Sequence, residues 1–488
     1  MKIVKHLLIL LLVAAFVQSC DDWLNVTASD QVRAEEQFSS EEGFKDALIG
    51  VYIGMADQSL YSKDLTWNMV DILSQQYAAL TFQAQYNEIQ TFDYETSLSA
   101  PRVNAVWSEA YNVIANINNA LYYIDKNEEG LDPINYDIIK GELLALRVYL
   151  HLDLMRLYGN SNLGDRSVGD ELTIPYVTEY SKEIPERYSN NETLSMMKED
   201  LNEALQLLET DPVYQNPERP EDFYEDVNAD GFYDNRMQRM NYWAAKALQA
   251  RLLAWQGGTE NMDLARQAAE AVIDSSQAAL IDSDSYPVSN DPILYQETLF
   301  SVYVNAFEDI INDLLDAGDQ TNYNAVYLTD GTVEEIYETN NSNIGPPDIR
   351  YNTLLESQTL GFVSLKLYQE SGLNNPDRVP LIKLPEMYYI AAEYYVNNNQ
   401  KDQAITYLNT VRDSRGIVED IPESATQEEV QEEIFKEYRK EYVSEGQLFF
   451  YYKRTGVESI PAASQTVEAD DEIYMLPYPD SELEFRNQ

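Results

Sequence analysis

Apolar residues recur at helical spacing along much of this chain of 488 residues. From Phe44 to Met55 they fall at i, i+3, i+4, i+7, i+8 and i+11, which places them on one face of an amphipathic helix. Ser39 precedes this stripe and Glu42 follows three residues later, a spacing typical of the capping box at which a helix begins. Similar periodicity predicts a helix over about 104–126. Residues 138–158 are more apolar on all sides, so we expect them to form the most buried helix.

Two segments are predicted to form pairs of antiparallel helices, because small residues recur where the helices of a pair would cross. The first pair spans residues 385–415 and carries Ala392, Tyr395, Ala404, Leu408 and Val411. This spacing is that of the tetratricopeptide repeat, a helix pair that stacks on its neighbours. The second pair follows the same order with three residues inserted at the turn Gly257-Gly258: Ala250, Leu253, Ala265, Ala269 and Val272. A helix over about 194–208 is predicted to pair with the helix at 138–158.

The predicted helices leave two long regions without helical periodicity, at residues 59–102 and 280–380. Loops of this length inside a compact domain are usually functional, so we expect the ligand site there. The predicted fold is mostly α, a scaffold of tetratricopeptide-like helix pairs with large irregular loop insertions. Its helical parts are expected at about 41–58, 103–275 and 381–455, within a single domain over residues 41–488.

A secretory signal is predicted at the start of the sequence. Two lysines precede an apolar stretch of eleven residues that ends at Val17, and Cys20 is the only cysteine of the chain. Such a stretch is too short to span a membrane and is typical of a cleaved signal peptide. We therefore predict a signal peptide at 1–19, a lipid anchor on acylated Cys20, and a tether over 20–40.

The charged residues and the histidines limit the possible partners and chemistry. The formal net charge of the chain is −51, which repels phosphate backbones and excludes nucleic acid as a partner. His6 and His151 are the only histidines, and His6 falls within the predicted signal peptide. Zinc sites with several histidines and Cys–His nucleophiles are therefore excluded. We interpret His151, which lies in an apolar helical stretch, as a residue of the core.

Four stretches in order along the chain resemble the SusD/RagB family of surface lipoproteins from Bacteroidetes. The first, an early helix, carries Trp107, Tyr111, Ile114 and Asn118. The second runs from Ala392-Glu393 through Ala404 to Leu408-Asn409, Val411-Arg412 and Arg415-Gly416. The third carries Glu437, Arg439, Glu441, Glu445-Gly446 and Lys453-Arg454, with Tyr438 and the aromatic run 448–452 as departures from the family pattern. The last is Tyr474–Pro479, and the resemblance covers nearly the whole chain.

This resemblance implies a function in nutrient capture. A protein of this family would bind an oligosaccharide or other glycan at the outer face of the outer membrane. It would deliver that ligand to a SusC-like TonB-dependent transporter without breaking a bond and without a required cofactor. Two alternatives remain: a peptide-capturing relative, and an all-helical surface glycoside hydrolase.

Aromatic residues of the two loop regions are the candidates for ligand binding. The chain has 37 Tyr against 14 Phe and 5 Trp, and a ring with a polar tip suits a partly wet surface. Such rings can stack on the apolar face of a sugar while nearby amides and carboxylates bind its hydroxyls. The candidates of the first region are Trp67, Tyr77, Phe82 and Tyr86, and those of the second are Tyr323, Tyr327, Tyr337 and Tyr351.

One acidic segment has the spacing of a calcium-binding loop. Asp226, Asn228, Asp230 and Asp234 stand at positions 1, 3, 5 and 9, with Gly231 at the sharp turn. The position that usually carries a bidentate Glu is occupied by Met237, so a solvated acidic hairpin is the alternative. The sequence thus allows a structural Ca²⁺.

Three glutamates are spaced four residues apart on one predicted helix face: Glu437, Glu441 and Glu445. Paired carboxylates are the machinery of glycosidases. Nearby cations can neutralise them, so we predict that they brace the scaffold. The cations considered are Lys436, Arg439, Lys440 and Arg454. Asp348 and Arg350 are likewise predicted to be structural.

Overall fold

The computed structural model describes residues 34–215, 223, 225, 227–461 and 467–486. The predicted signal peptide, Cys20, most of the predicted tether and Asp226 lie outside these residues. None of the described helices is both long and apolar enough to cross a membrane.

The fold is built mainly from α-helices, as predicted. The longer helices are α1 Glu41–Met55, α2 Ala100–Ile124, α3 Pro133–Tyr158, α4 Asn190–Leu207, α5 Tyr242–Gln256, α6 Thr259–Ser275, α7 Leu384–Asn397, α8 Lys401–Ser414, α9 Gln427–Glu441 and α10 Leu448–Thr455. Shorter helices span Met69–Leu73, Asn87–Gln90, Pro212–Gln215, Glu308–Ile311, Asp330–Tyr337, Ile349–Asn352, Asp471–Tyr474 and Asp480–Arg486.

The strands form three two-stranded antiparallel sheets. Strand β1 Thr298–Tyr303 pairs with β4 Arg378–Lys383, so that Tyr303 lies opposite Arg378. Strands β2 Leu355–Ser357 and β3 Phe362–Ser364 form a hairpin, and β5 Ser459–Ile460 pairs with β6 Val467–Glu468. The second predicted loop region therefore contains β structure that the sequence pattern did not indicate.

Helix α1 begins one residue later than predicted. Ser40, not Ser39, has the extended backbone of an N-cap, and its hydroxyl accepts a hydrogen bond from the Gly43 amide at 3.3 Å. The Ser39 hydroxyl instead donates to the carbonyl of Glu36 at 2.7 Å. The predicted stripe is confirmed, because Phe44 and Met55 are fully buried at its two ends.

The predicted helix pairs are confirmed. Helices α5 and α6 pack against each other, as do α7 and α8, and α3 pairs with α4. Helix α6 also packs on α7, which joins the two tetratricopeptide-like pairs into one layer. The turn between α5 and α6 uses left-handed backbone at Gly257 and Gly258, and a Cβ on Gly257 would lie 2.6 Å from the Cα of Gly164. Glycine is therefore required at position 257 by both conformation and space.

Candidate functional site

The two predicted loop regions meet in the structure. The amide of Ala78 donates to the carbonyl of Tyr327 at 2.9 Å, and the amide of Gln85 donates to Oδ1 of Asn324 at 2.8 Å. These bonds join segments more than 200 residues apart in the chain. The aromatic residues at 82, 323 and 327 are thus carried on neighbouring loops.

Two of these rings are open to solvent. Phe82 is 85% exposed and Tyr323 is 43% exposed. Tyr327 is half-buried and packs on the cluster that includes Val363 of the hairpin β2–β3. Exposed apolar residues that lie together on one surface mark ligand or partner sites, whereas single exposed rings are normal. Phe82, Tyr323 and Tyr327 are therefore the predicted ligand residues that lie at least partly exposed on two loops joined by hydrogen bonds.

A close backbone approach positions Tyr327. The amide of Leu328 donates to the carbonyl of Phe362 at 2.8 Å, which fixes the segment against the hairpin. A Cβ on Gly361 would lie 2.4 Å from the carbonyl oxygen of Leu328 and 2.7 Å from Cδ2 of Tyr327. Only glycine at position 361 lets the Tyr327 ring pack this closely on the hairpin.

Polar side chains lie on the same loops as the exposed rings and on the neighbouring helix α2. Gln85 accepts a hydrogen bond from Arg102 at 3.3 Å, and the Arg102 guanidinium lies 4.8 Å from the ring centre of Tyr86. Asn87 donates to the carbonyl of Leu80 at 2.7 Å and so holds the loop that carries Phe82. Amide and guanidinium groups of this kind both orient loops and bind hydroxyls. Gln85, Asn324 and Arg102 were not singled out in the sequence because polar loop residues carry no periodic signal.

Four of the predicted ligand residues lie in the core instead: Trp67, Tyr77, Tyr86 and Tyr337. The indole N–H of Trp67 donates to the carbonyl of Ser62 at 2.7 Å, and the hydroxyl of Tyr86 donates to Asp64 at 2.7 Å. Each ring is enclosed by side chains, so it presents no open face on which a sugar could stack. We correct the prediction for these four residues to a structural role.

Tyr77 is the clearest example of that role. Its hydroxyl donates to Asp71, whose carboxylate also accepts from the amide of Ser444 at 2.8 Å. Burial raises the pKa of Asp71 to about 7 despite these hydrogen bonds. Asp71 thus links Tyr77 and the first loop region to the segment after α9, and Tyr77 has a structural role.

Tyr351 is half-buried within a row of rings. Its ring centre lies 6.1 Å from that of Tyr337 and 6.4 Å from that of Phe362. This contact connects the core beneath Tyr337 to the hairpin that carries Tyr327. Tyr351 therefore supports the loop surface.

The three glutamates predicted to brace the scaffold form ion pairs within it, but most of their partners are not the predicted cations. Glu437 and Glu441 are fully buried and both accept from Nη1 of Arg350, at 2.9 and 3.1 Å. Glu441 also accepts from Arg415 at 2.9 Å, and Glu445 accepts from Lys366 at 2.8 Å.

Of the four cations predicted to pair with these glutamates, only Lys440 does so, with Glu437 at 3.3 Å. The others pair elsewhere: Lys436 with Glu338 and Glu433, Arg439 with Glu335, and Arg454 with Glu393. The glutamate face of α9 points inward, so it meets cations from distant parts of the chain. Asp348 and Arg350 belong to this cluster at 2.8 Å, which agrees with their predicted structural role.

The surrounding cations keep the buried glutamates ionised. Burial by itself would raise the pKa of Glu437, but Arg350, Lys440 and Arg412 outweigh it and lower the pKa to about 2. The pKa of Glu441 is also held well below its usual range, because Arg415, Lys383 and Arg350 outweigh its burial. A glycosidase needs one carboxyl group with a raised pKa to act as its acid, and neither residue provides one.

His151 is satisfied in the core, as predicted. Its Nε2 accepts from the amide of Val177 at 3.0 Å, which leaves Nδ1 to donate to the carbonyl of Arg147 at 2.9 Å. Burial lowers the pKa of His151 to about 3, so the imidazole stays neutral. Both ring nitrogens are occupied by backbone groups.

The loop with calcium-like spacing is held by protein hydrogen bonds. Asp230 accepts from the ammonium of Lys45 at 2.9 Å, and Asn228 accepts from the amide of Tyr233 at 2.7 Å. Asn228 also donates to Asp234 at 2.9 Å. The described part of the chain contains no group of three or more acidic, histidine or cysteine side chains that could hold a metal ion, and Asp226 lies outside it. Calcium binding stays a prediction.

Solved structures with the same fold come from Bacteroides. A SusD superfamily protein from Bacteroides vulgatus is 20% identical, with a TM-score of 0.72 over 92% of this chain and 98% of the other. A SusD superfamily protein from Bacteroides thetaiotaomicron is 22% identical, with a TM-score of 0.70 over 91% of this chain and 98% of the other. A SusD-like carbohydrate binding protein from Bacteroides vulgatus is 18% identical, with a TM-score of 0.69 over 91% and 96%. The fold is thus that of the SusD superfamily.

Two family models match the sequence itself. One, described as starch-binding and associating with the outer membrane, matches residues 22–221, and the other, the SusD family, matches residues 286–484. No curated protein matches the sequence. Together the two models cover most of the chain, and the chain belongs to the SusD/RagB family, which is associated with the outer membrane.

Proposed function

We propose that this protein captures an oligosaccharide at the outer face of the outer membrane and passes it to a SusC-like TonB-dependent transporter. One observation carries the binding proposal: Phe82 and Tyr323 expose their rings on two loops that are hydrogen-bonded to each other. Membership of the SusD/RagB family and the structural similarity to a SusD-like carbohydrate binding protein support it.

The chemistry of this surface suits a sugar. The ring of Phe82 is flat, apolar and exposed to water. When the apolar face of a pyranose stacks on it, both surfaces are removed from solvent. Gln85, Asn324 and Arg102, which are hydrogen-bonded to one another where the two loops meet α2, offer both donors and acceptors to hydroxyl groups. A neutral ligand also avoids repulsion by a chain whose formal net charge is −51.

We further propose that the protein breaks no bond in its ligand. The best carboxylate cluster is buried, ionised and engaged with arginine and lysine side chains. The imidazole of His151 is neutral and bonded to backbone on both sides. These groups therefore cannot act as the acid and the base of glycosidic cleavage.

The proposed binding site is tested by replacing its rings. Phe82→Ala and Tyr323→Ala should each weaken binding of the cognate oligosaccharide about tenfold or more, since each removes one stacking contact. Tyr303→Ala is the matched control, because this tyrosine is 55% exposed on β1. Affinity electrophoresis in gels that contain single polysaccharides gives the dissociation constants. If both ring variants bind as tightly as wild type, the site is not at these loops.

Delivery is tested by capture from membranes. The full-length, tagged protein, expressed in its own cells and extracted with mild detergent, should retain a TonB-dependent transporter. Loss of the proposed lipid anchor in Cys20→Ala should release the protein from the cell surface without abolishing sugar binding. Purification of the tagged protein with no transporter would contradict the delivery step.

A further inference from the structure

A cavity lies far from the loop site, between α2, α3 and α4. Its volume is about 480 Å³, and it is lined by Asn118, Tyr122, Lys140, Arg147, Tyr180 and Glu203, among others. Arg102, which contacts the loop site, and Tyr122 are both on α2. At 1.5 Å per residue they are about 30 Å apart along the helix. The two surfaces are therefore separate.

Two exposed tyrosines flank this cavity. Tyr122 is 46% exposed and Tyr180 is 52% exposed, and their ring centres are 6.4 Å apart with the planes tilted by 48°. The ammonium of Lys126 covers one face of Tyr122 at 3.5 Å from the ring centre. Tyr180 lies in the irregular segment before α4, and its side chain lines the cavity.

The charged groups that line the cavity form ion pairs with one another. Lys140 pairs with Asp125 at 2.9 Å and with Glu203 at 3.0 Å. Burial would lower the pKa of Lys140, but hydrogen bonds to these carboxylates outweigh it and raise the pKa, so the ammonium stays charged.

Arg147, at the base of the same cavity, is anchored in a similar way. It pairs with Asp200 at 2.7 Å and donates to Oδ1 of Asn118 at 2.9 Å. Its guanidinium is thereby fixed in place before any ligand binds. A ligand that enters therefore meets polar groups that are already paired, and a neutral ligand with many hydroxyls can hydrogen-bond to them without breaking an ion pair.

We propose that this cavity is a second binding site for a neutral saccharide. The ring of Tyr180 would stack on the apolar face of one sugar unit, with Tyr122 beside it. Hydroxyls of the sugar would hydrogen-bond to the carboxylates and cations at the base of the cavity. The inference extends the proposed function to a second surface, which would let the protein hold a long glycan at two points or two glycans at once.

Neutral sugars fit this cavity better than acidic sugars do. An acidic sugar would be repelled by a chain of net charge −51 and would find Lys140 and Arg147 already paired. A cationic peptide is the rival ligand, because Asp125 and Glu203 share one ammonium, that of Lys140, and so keep a surplus negative charge. Peptide binding is therefore an outcome of the test that counts against the proposal.

The test removes the rings of Tyr122 and Tyr180 both from wild type and from a variant that already lacks the two loop rings. The variants are Tyr122→Ala with Tyr180→Ala, the loop variant Phe82→Ala with Tyr323→Ala, all four substitutions together, and Tyr303→Ala as control. Affinity electrophoresis is run in gels with starch, xylan, galactomannan or mixed-linkage β-glucan, and with polygalacturonate as the acidic comparison. Binding of a peptide digest to the same variants is measured separately. Exposed rings contribute little to the core, so thermal melting should be unchanged in every variant.

We expect one neutral polysaccharide to retard the loop variant more weakly than wild type but still measurably. Adding the substitutions at Tyr122 and Tyr180 should then reduce this residual affinity at least about tenfold. The second site is refuted if the residual affinity is the same with and without Tyr122 and Tyr180, or if the loop variant is not retarded at all. It is also refuted if these rings affect binding only of polygalacturonate or of a peptide digest. If the loop variant is retarded as strongly as wild type, the result contradicts the proposed loop site instead.

Discussion

Replacement of Glu441 by glutamine tests whether its carboxylate has a structural or a catalytic role. Glu441 is fully buried on α9 and accepts hydrogen bonds from Arg350, Arg415 and Lys383. Glutamine has nearly the same shape but carries no charge, so the substitution removes the carboxylate from a group of buried cations. We expect a large loss of stability and no change in ligand chemistry.

The size of this loss follows from what remains around the cations. Removal of one partner from a buried ion pair costs about 3–5 kcal/mol. Each of the three cations keeps another carboxylate after the substitution: Arg350 keeps Glu437, Arg415 keeps Glu297, and Lys383 keeps Glu445. We therefore expect the lower end of the range, a decrease of about 3 kcal/mol in the free energy of unfolding.

Urea unfolding of the purified protein measures this decrease, with Glu432→Gln as the control. Glu432 is exposed on the same helix, so its substitution should change the free energy of unfolding by no more than about 0.5 kcal/mol. Equal stability of Glu441→Gln and wild type would refute the structural role. The structural role would also be refuted if wild type had an enzymatic activity that Glu441→Gln lost while it kept the stability of wild type.

The other predictions concern the lipid anchor, the calcium-like loop, the loss of folding stability at low pH, and the hairpin. Cys20→Ala should leave the protein soluble or uncleaved instead of accessible to protease on whole cells, and a variant still held on the surface would exclude the lipid as the anchor. Calcium titration by calorimetry should give heat in wild type and less in Asp230→Ala, and no heat in either protein would exclude calcium. The pKa of Glu437 is lowered to about 2 in the folded protein, so its stabilisation is present above its unfolded value of about 4.5 and is lost as the pH falls towards 2. Urea unfolding between pH 6 and pH 3 should show this loss in wild type and a smaller one in Glu437→Gln, and equal pH dependence would contradict the assignment. Gly361→Ala should displace Tyr327 and weaken oligosaccharide binding, and unchanged affinity would show that the hairpin contact does not position the ring.

The helical scaffold could be predicted because its helices carry the signal in their own residues. The small residues of 385–415 mark the crossing of α7 with α8, and these contacts lie within one short segment. The start of α1 was missed by one residue, because Ser39 and Ser40 both match an N-cap and only the backbone at Ser40 decides between them.

The loops could be predicted as regions but not residue by residue. Tyr77 and Phe82 are five positions apart, yet one is in the core and the other is 85% exposed. Burial in irregular segments depends on tertiary contacts, such as that of Tyr77 with Asp71, and these leave no periodic pattern in the sequence. The partners of Glu441 were missed for a similar reason, since Arg350 lies 91 residues away in the chain.

Calorimetry combined with product analysis tests most directly whether this protein captures a glycan without cleaving it. Oligosaccharides released from the polysaccharide that retards wild type are titrated into wild type and into Phe82→Ala with Tyr323→Ala, and the mixtures are then analysed by mass spectrometry. We predict saturable heat with wild type, at least about tenfold weaker binding in the variant, and oligosaccharides of unchanged length in both. Shortened oligosaccharides in the wild-type mixture, or equal affinity of the two proteins, would contradict the account.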